Sequence, residues 1–226
     1  MDLQKAQAEE FNERRYSAWV AGPGDAERIN AISMLVGNGK RILDVGCGTG
    51  KLAGILKAAG NNVRGLDGSS GAVRMAREEG IEAVNCDLER DEWPVPCESV
   101  DVVVAAEIIE HIYDTDRFLQ MIRTCLVPGG VLIVSTPNLV ALGRRLLMLL
   151  GYAPHMECAI REHDAGHIRY FVRETLCRLL EENSFQVEKV TSDVVNFNAS
   201  GSMRSAGLAR TIPTWGRTLI VKARRA

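Results

Sequence analysis

The sequence predicts an α/β fold, a mostly parallel sheet with helices on both faces, and three observations predict it. Between residues 41 and 135, short apolar runs alternate with helical patterns, which is how a covered parallel sheet reads. One run, 99–106 (SVDVVVAA), is almost continuously apolar, as expected of a strand buried on both faces. The chain closes with two strand-like runs, 185–195 and 215–222, with no obvious crossover helix between them. That pair predicts a terminal antiparallel hairpin.

Each element follows from local pattern. Residues 3–19 read as a polar helix with Phe11, Tyr16 and Trp19 as apolar points, broken at Ala21-Gly22-Pro23-Gly24-Asp25. A second helix over 26–36 places Ile29, Ile32, Leu35 and Val36 at helical spacing. Residues 41–45 (RILDV) form the first strand, 46–50 a tight glycine turn, and 51–59 a helix stopped by Gly60. The second strand, 62–66, ends in Asp67-Gly68; Ser69 caps a helix running to about Glu79 before Gly80. A third strand over 81–84 leads into Asn85-Cys86-Asp87-Leu88, and a loop with Pro94 and Pro96 precedes the fourth strand. Residues 114–125 read as a helix, and Pro128-Gly129-Gly130 turns the chain into a fifth strand, 131–135. Then come a leucine-rich helix over 138–150, an irregular stretch 151–167, and a helix over 172–182 with Phe171, Leu176, Leu179 and Leu180 inward. The connection 196–214 is rich in Gly, Ser and Arg.

Composition bounds the function. The 226 residues fit one domain, since roughly 100–200 residues make one. With 46% apolar and 25% charged residues, the composition is that of an ordinary globular protein. A net charge of −2 argues against a dedicated nucleic-acid binder, which would carry a basic stripe. No run approaches the ~18 uninterrupted apolar residues of an integral membrane segment, and the polar opening MDLQKAQAEEFNERR does not read as a secretory signal. The six cysteines (Cys47, Cys86, Cys97, Cys125, Cys158, Cys177) are scattered without a C-x-x-C. That spacing suits buried thiols in a reducing, cytoplasmic setting and not a disulfide framework or zinc knuckle.

The strongest signal is Ile42-Leu43-Asp44-Val45-Gly46-Cys47-Gly48-Thr49-Gly50. Glycines after a first strand let the backbone turn sharply and approach a ligand, and the following helix presents free N–H groups. Asp67, at the end of the next strand, stands where an acid binds a ribose diol. A dinucleotide fingerprint needs G-x-G-x-x-G; here the third glycine comes one residue early, at Gly50, and Lys51 follows. The pattern therefore favours a nucleoside ligand without phosphates whose aminoacyl end fits beside the turn, S-adenosylmethionine.

The run ILDVGCGTG resembles the first motif of class I S-adenosylmethionine-dependent methyltransferases, and the resemblance continues in order through VRGLD, NCDLE, SVDVVVAAEIIEHI and LVPGGVLIVSTPN, over roughly residues 10–190. It implies a Rossmann-like seven-stranded sheet, mostly parallel, with an antiparallel last strand inserted beside the fifth. It implies one methyltransferase domain over 1–226: an N-terminal helical cap (1–40), a lid (137–170) that largely sets specificity, and the terminal hairpin (185–226). Asp44, Gly46, Cys47, Gly48 and Gly50 would line the methionine end of the cofactor. Asp67 would accept the ribose hydroxyls with Gly68 and Ser69 nearby, and Asp87 and Leu88 would hold the adenine. Ala106 and Glu107 would face the methyl group and substrate. Tyr16 would contact the cofactor carboxylate, or simply pack as an aromatic.

Methyl transfer to a hydroxyl or amine needs a base, and a neutral histidine suits the task near pH 7. Of His111, His155, His163 and His167, His111 lies just beyond the fourth strand, at the edge where such sheets bind ligands. REHDAGHIRYF, with His163 and His167, is similar to an H-[IL]-R-x-[FY] element of small-molecule and glycan methyltransferases, where Arg161 or Arg169 would bind an anionic substrate group or be surface charge. The expected catalytic residues are His111, His167 and Glu107. Glu107, Glu110, His111 and His167 also make a ligand set for Mg²⁺ or Mn²⁺, similar to that of ubiquinone-biosynthesis O-methyltransferases. In relatives without a metal, Glu107 lines the site and Glu110 packs near the surface. The methyl acceptor expected is a hydroxyl, or an amine, of a small molecule or glycan. The alternatives are a nicotinamide-dependent oxidoreductase and a non-catalytic cofactor-binding regulator. Residues 140–150 would be a lid over an apolar substrate, a homodimer contact, a membrane-surface helix, or a partly buried cover helix.

Overall fold

The computed structural model describes residues 25–152, 166–198 and 202–226. Its strands are β1 (Arg41–Val45), β2 (Asn62–Asp67), β3 (Glu82–Asn85), β4 (Val100–Ala106), β5 (Leu126–Pro137), β6 (Phe185–Ser192), β7 (Val195–Asn196), β8 (Arg204–Ser205) and β9 (Thr218–Arg225). Seven of them form one sheet in the order β3-β2-β1-β4-β5-β9-β6, while β7 and β8 pair separately. Strands β1 to β5 are mutually parallel; β9 runs antiparallel to both β5 and β6. This is the predicted Rossmann-like sheet with its inserted antiparallel last strand. Its order reverses between β1 and β4, the switch point at whose carboxyl edge ligands bind in open α/β sheets.

The helices are α1 (Asp25–Val36), α2 (Lys51–Ala58), α3 (Ser70–Glu78), α4 (Thr115–Cys125), α5 (Leu142–Leu149), α6 (Arg173–Glu182) and α7 (Ala206–Thr211). Strand periodicity of two divides the core. Leu43, Val45, Val103, Ala105, Leu132, Val134 and Leu219 pack with Phe118, Leu119 and Ile122 of α4 and Leu176 and Leu180 of α6. Ile42, Val102, Val104, Ile133 and Ile220 pack with Ile32 and Val36 of α1, Leu56 of α2, and Val73 and Ala76 of α3. The apolar run in β4 thus feeds both faces, as its lack of alternation implied.

The structure differs from the sequence reading at several boundaries. The fifth strand runs from Leu126 to Pro137, through the Pro-Gly-Gly turn, with a register shift between Val100 and Val102 of its partner. The leucine-rich helix is shorter, Leu142–Leu149; none of its residues is fully buried, Leu142, Arg144 and Arg145 are half-buried, and Leu146, Leu147, Leu149 and Leu150 stand exposed. The connection after β6 holds β7, β8, α7 and a 3₁₀ turn at Pro213–Trp215 where no structure was expected. Nonlocal contacts organise it. Asp193 Oδ2 meets Arg217, its Oδ1 accepts from the Val194 and Thr218 N–H groups, and Arg204 pairs with Glu27 of α1.

A candidate methyl-transfer site at the carboxyl edge of the sheet

The glycine turn joins β1 to α2, and Gly46, Gly48 and Gly50 all take positive φ, at 75°, 53° and 82°. Gly46 needs its missing side chain twice over, because a Cβ there would lie 2.9 Å from Ile108 Cγ1. The turn is tied to β2 by the Gly46 and Cys47 N–H groups, which donate to the Leu66 carbonyl at 2.8 and 3.0 Å. Cys47 is buried with its Sγ over Gly65, where a Cβ would lie 2.6 Å away. Burial, then Asp44 and Asp67, push its thiol up, so it is an inert packing group.

Asp67 closes β2 with one oxygen accepting the Gly48 N–H at 2.8 Å and the other the Ser69 N–H at 2.9 Å. Ser69 in turn caps α3, its hydroxyl accepting the Ala72 N–H. These bonds fix the carboxylate at the rim of the turn. Asp44, at the end of β1, is buried, and its Oδ2 has no hydrogen-bond partner among the described residues. Burial, with a smaller contribution from Asp67, pushes its carboxyl up to about 7. An orphaned buried carboxylate beside a glycine turn fits a ligand that brings its own cation, such as an amino-acid ammonium. Asp87 spends Oδ1 on the Glu89 and Arg90 N–H groups, and Arg90 Nε lies 4.0 Å from Oδ2; Leu88 beside it is buried. Gly68 follows Asp67 on the same edge. Tyr16, His155, His163 and Arg161 lie outside the described residues.

Glu107 follows Ala106 at the end of β4 with φ 55°, a left-handed conformation that costs a residue with a side chain roughly 1–2 kcal/mol. Two contacts hold it. Ser135 Oγ donates to its Oε1 at 2.8 Å, and Arg28 of α1 reaches its Oε2 at 3.3 Å. Burial raises its carboxyl, and Arg28 and Ser135 oppose the rise. Arg28 also meets Asp25 at 3.2 Å, Asp25 faces Arg217 at 3.7 Å, and Arg217 pairs with Asp193 at 2.8 Å. Charges of alternating sign therefore run from Glu107 through α1 to β9. Sequence reasoning missed Arg28, which carries no motif, and Ser135, which lies in the LVPGGVLIVSTPN run without a role read from it; both meet Glu107 only through the fold.

Glu110, His111 and His167 come together, with one ligand atom of each within 4.8 Å of the others. Glu110 is 1% exposed, and neither carboxylate oxygen makes a hydrogen bond among the described residues; the nearest imidazole nitrogen is His167 Nε2 at 3.9 Å. It does not pack near the surface. Burial and then the Glu107 charge push its carboxyl well above the usual range. The His111 and His167 rings lie 4.9 Å apart, and His111 Nδ1 donates to the Gly166 carbonyl at 2.9 Å, which leaves the lone pair on Nε2. Glu107, held by Ser135 and Arg28, stands outside this cluster. Arg169 donates its Nε and one terminal nitrogen to the Ile112 and Tyr113 carbonyls, which seats its guanidinium against the turn after β4.

An open sheet with a glycine turn after β1, an acid ending β2 and an antiparallel strand beside β5 defines a nucleoside-binding α/β domain of the methyltransferase kind. Residues 11–190 match the family model described as "Methyltransferase domain", and the chain belongs to that family. It is 30% identical to a probable S-adenosylmethionine-dependent methyltransferase of Mycolicibacterium smegmatis, over 80% of this chain and 62% of that protein. It is also 30% identical to the mitochondrial ubiquinone biosynthesis O-methyltransferase of Homo sapiens, over 70% of this chain and 44% of that one. The chain thus spans about half the length of these curated relatives. In fold it is similar to a methyltransferase from Thermotoga maritima described as a possible histamine N-methyltransferase, with a TM-score of 0.70, 20% identity, and coverage of 99% and 96% of the two chains. Nothing here favours the nicotinamide reading or the regulator reading.

Proposed function

We propose that the protein transfers the methyl group of S-adenosylmethionine to a hydroxyl of a small-molecule or glycan acceptor, with a divalent cation, Mg²⁺ or Mn²⁺, at the acceptor side. The observation that carries the reading is the buried Glu110 carboxylate clustered with His111 and His167, neither of its oxygens in hydrogen-bond geometry with a partner among the described residues, on the edge that also holds Asp44 and Asp67. Bound there, the cofactor would supply an activated methyl on a thioether leaving group, and the cation would lower the acceptor hydroxyl's pKa.

The chain's own part is alignment and exclusion of water. Asp44 would face the cofactor's ammonium, Asp67 its ribose hydroxyls, and Asp87 and Leu88 its adenine. Glu110, His111 Nε2 and His167 would hold the cation; His111 is oriented for it by the Gly166 carbonyl, as metal-ligating imidazoles usually are. Glu107, aimed by Ser135 and Arg28, would orient the acceptor beside the methyl group. A cytoplasmic location belongs to this reading and rests on the scattered cysteines, five of which are free in the structure. No helix of the described residues is long and apolar enough to cross a membrane. The exposed leucines of α5 support a contact in a homodimer.

The test is methyl transfer to a catechol with Mg²⁺ and then with excess EDTA, beside a calorimetric titration of Mn²⁺. Loss of rate in EDTA, restored by Mg²⁺, and one bound Mn²⁺ are expected. Unchanged rates in EDTA would refute the cation.

A further inference from the structure

The arginines around the acceptor side of the site are not equivalent. Arg28 and Arg217 are neutralised by Glu107, Asp25 and Asp193. Arg144 and Arg145, adjacent on α5, are both half-buried and make no ion pair among the described residues. Arg144 donates to the Asn138 carbonyl at 2.8 Å. Arg145 donates to the carbonyls of Val140 at 2.5 Å and Thr214 at 3.2 Å. These bonds seat the two side chains at the carboxyl end of β5, whose Ser135 pairs in register with Ala106 of β4, next to Glu107. Burial lowers the Arg144 pKa; Tyr170 and Glu107 raise it and Arg217 lowers it, so its charge feels the groups that line the acceptor side.

A half-buried guanidinium gives up hydration, and carbonyl oxygens return only part of it; a bidentate anion returns the rest. Each of these two guanidiniums has donors beyond those its carbonyl bonds use, since the group carries five N–H groups. We propose that Arg144 and Arg145 bind an anionic group of the methyl acceptor, a carboxylate, phosphate or sulfate carried on the same skeleton as the reacting hydroxyl. This rests on the hydroxyl-methylating reading above and narrows its acceptor class. It places on α5 an anion contact of the kind the sequence suggested for Arg161 or Arg169.

The experiment is calorimetric binding to the full chain saturated with S-adenosylhomocysteine and Mg²⁺. The probes are two matched pairs of different reach: 3,4-dihydroxybenzoate against its amide, and 3,4-dihydroxycinnamate against its amide. In at least one pair the acid should bind 10-fold or more tighter than the amide. In the double variant Arg144→Gln, Arg145→Gln, whose amides can still donate to the same carbonyls, that preference should fall below 3-fold with amide affinity unchanged. Unchanged S-adenosylhomocysteine affinity shows that the variant is folded. Equal binding of acid and amide in the wild type, a preference that survives the double substitution, or no binding of any probe overturns the proposal. Should S-adenosylhomocysteine itself fail to bind, the cofactor reading falls instead, and the acid-to-amide ratio, measured without it, decides the anion site by the same criteria.

Discussion

Asp44 is the residue whose state depends most on what binds beside it. Its carboxyl is buried, its Oδ2 has no hydrogen-bond partner among the described residues, and it is raised to about 7, against about 3.9 in an unfolded chain. The folded protein therefore holds a proton there that the unfolded chain releases. The sign follows from linkage: this site's contribution to stability is fully present below pH 4 and is lost as pH rises toward 7, at about 1.4 kcal/mol per pH unit. A cationic ligand group would reverse the preference by favouring the ionised form. Asp44→Asn is thus expected to stabilise the cofactor-free protein at pH 8 relative to wild type, with little difference at pH 4, and to weaken S-adenosylhomocysteine at least tenfold. Urea unfolding at the two pH values and calorimetry check it; a variant that is less stable at pH 8 and binds normally would contradict it.

At the scale of elements, the glycine turn couples sequence to site most tightly. Gly46→Ala must hold an alanine at φ 75° and press its Cβ against Ile108, so a loss of at least ~1–2 kcal/mol is expected from the backbone alone. Adding Ile108→Ala removes the contacts at 2.9 and 3.0 Å but leaves the Ile108 Cβ contact at 3.1 Å and the φ, so urea midpoints should recover only in part; full recovery would assign the whole cost to the outer atoms of Ile108. This turn was legible in the sequence because its signal is local: three glycines, a preceding strand and an acid at the next strand's end. The sheet was legible for a similar reason, since the β4 run and the strand–helix alternation are short-range patterns. Helix α5 was overextended because leucine content reads as burial, whereas Leu146, Leu147 and Leu149 face out. The stretch 196–214 was unreadable because the ion pairs Arg204–Glu27 and Arg217–Asp193 that order it join residues far apart in sequence. The same holds in the site: the E-x-x-E-H run was visible, but not that Glu110 is buried with the histidines while Glu107 turns to Ser135 and Arg28.

For the whole molecule, the seven strands bring three sequence-distant groups to one edge: the Asp44–Asp67 turn, the Glu110–His111–His167 cluster and the arginines of α5. The alternating charges from Glu107 to Asp193 tie α1 and β9 to that edge, so ligand binding there is expected to stabilise the domain as a unit. The most direct test of the central claim is thermal unfolding of the full chain with S-adenosylhomocysteine and, separately, with NAD. At 100 times Kd a specific ligand adds about 2.7 kcal/mol, which for a domain of this size raises Tm by about 5–10 °C. The account predicts that rise with S-adenosylhomocysteine and none with NAD; a rise with NAD and none with S-adenosylhomocysteine would contradict it.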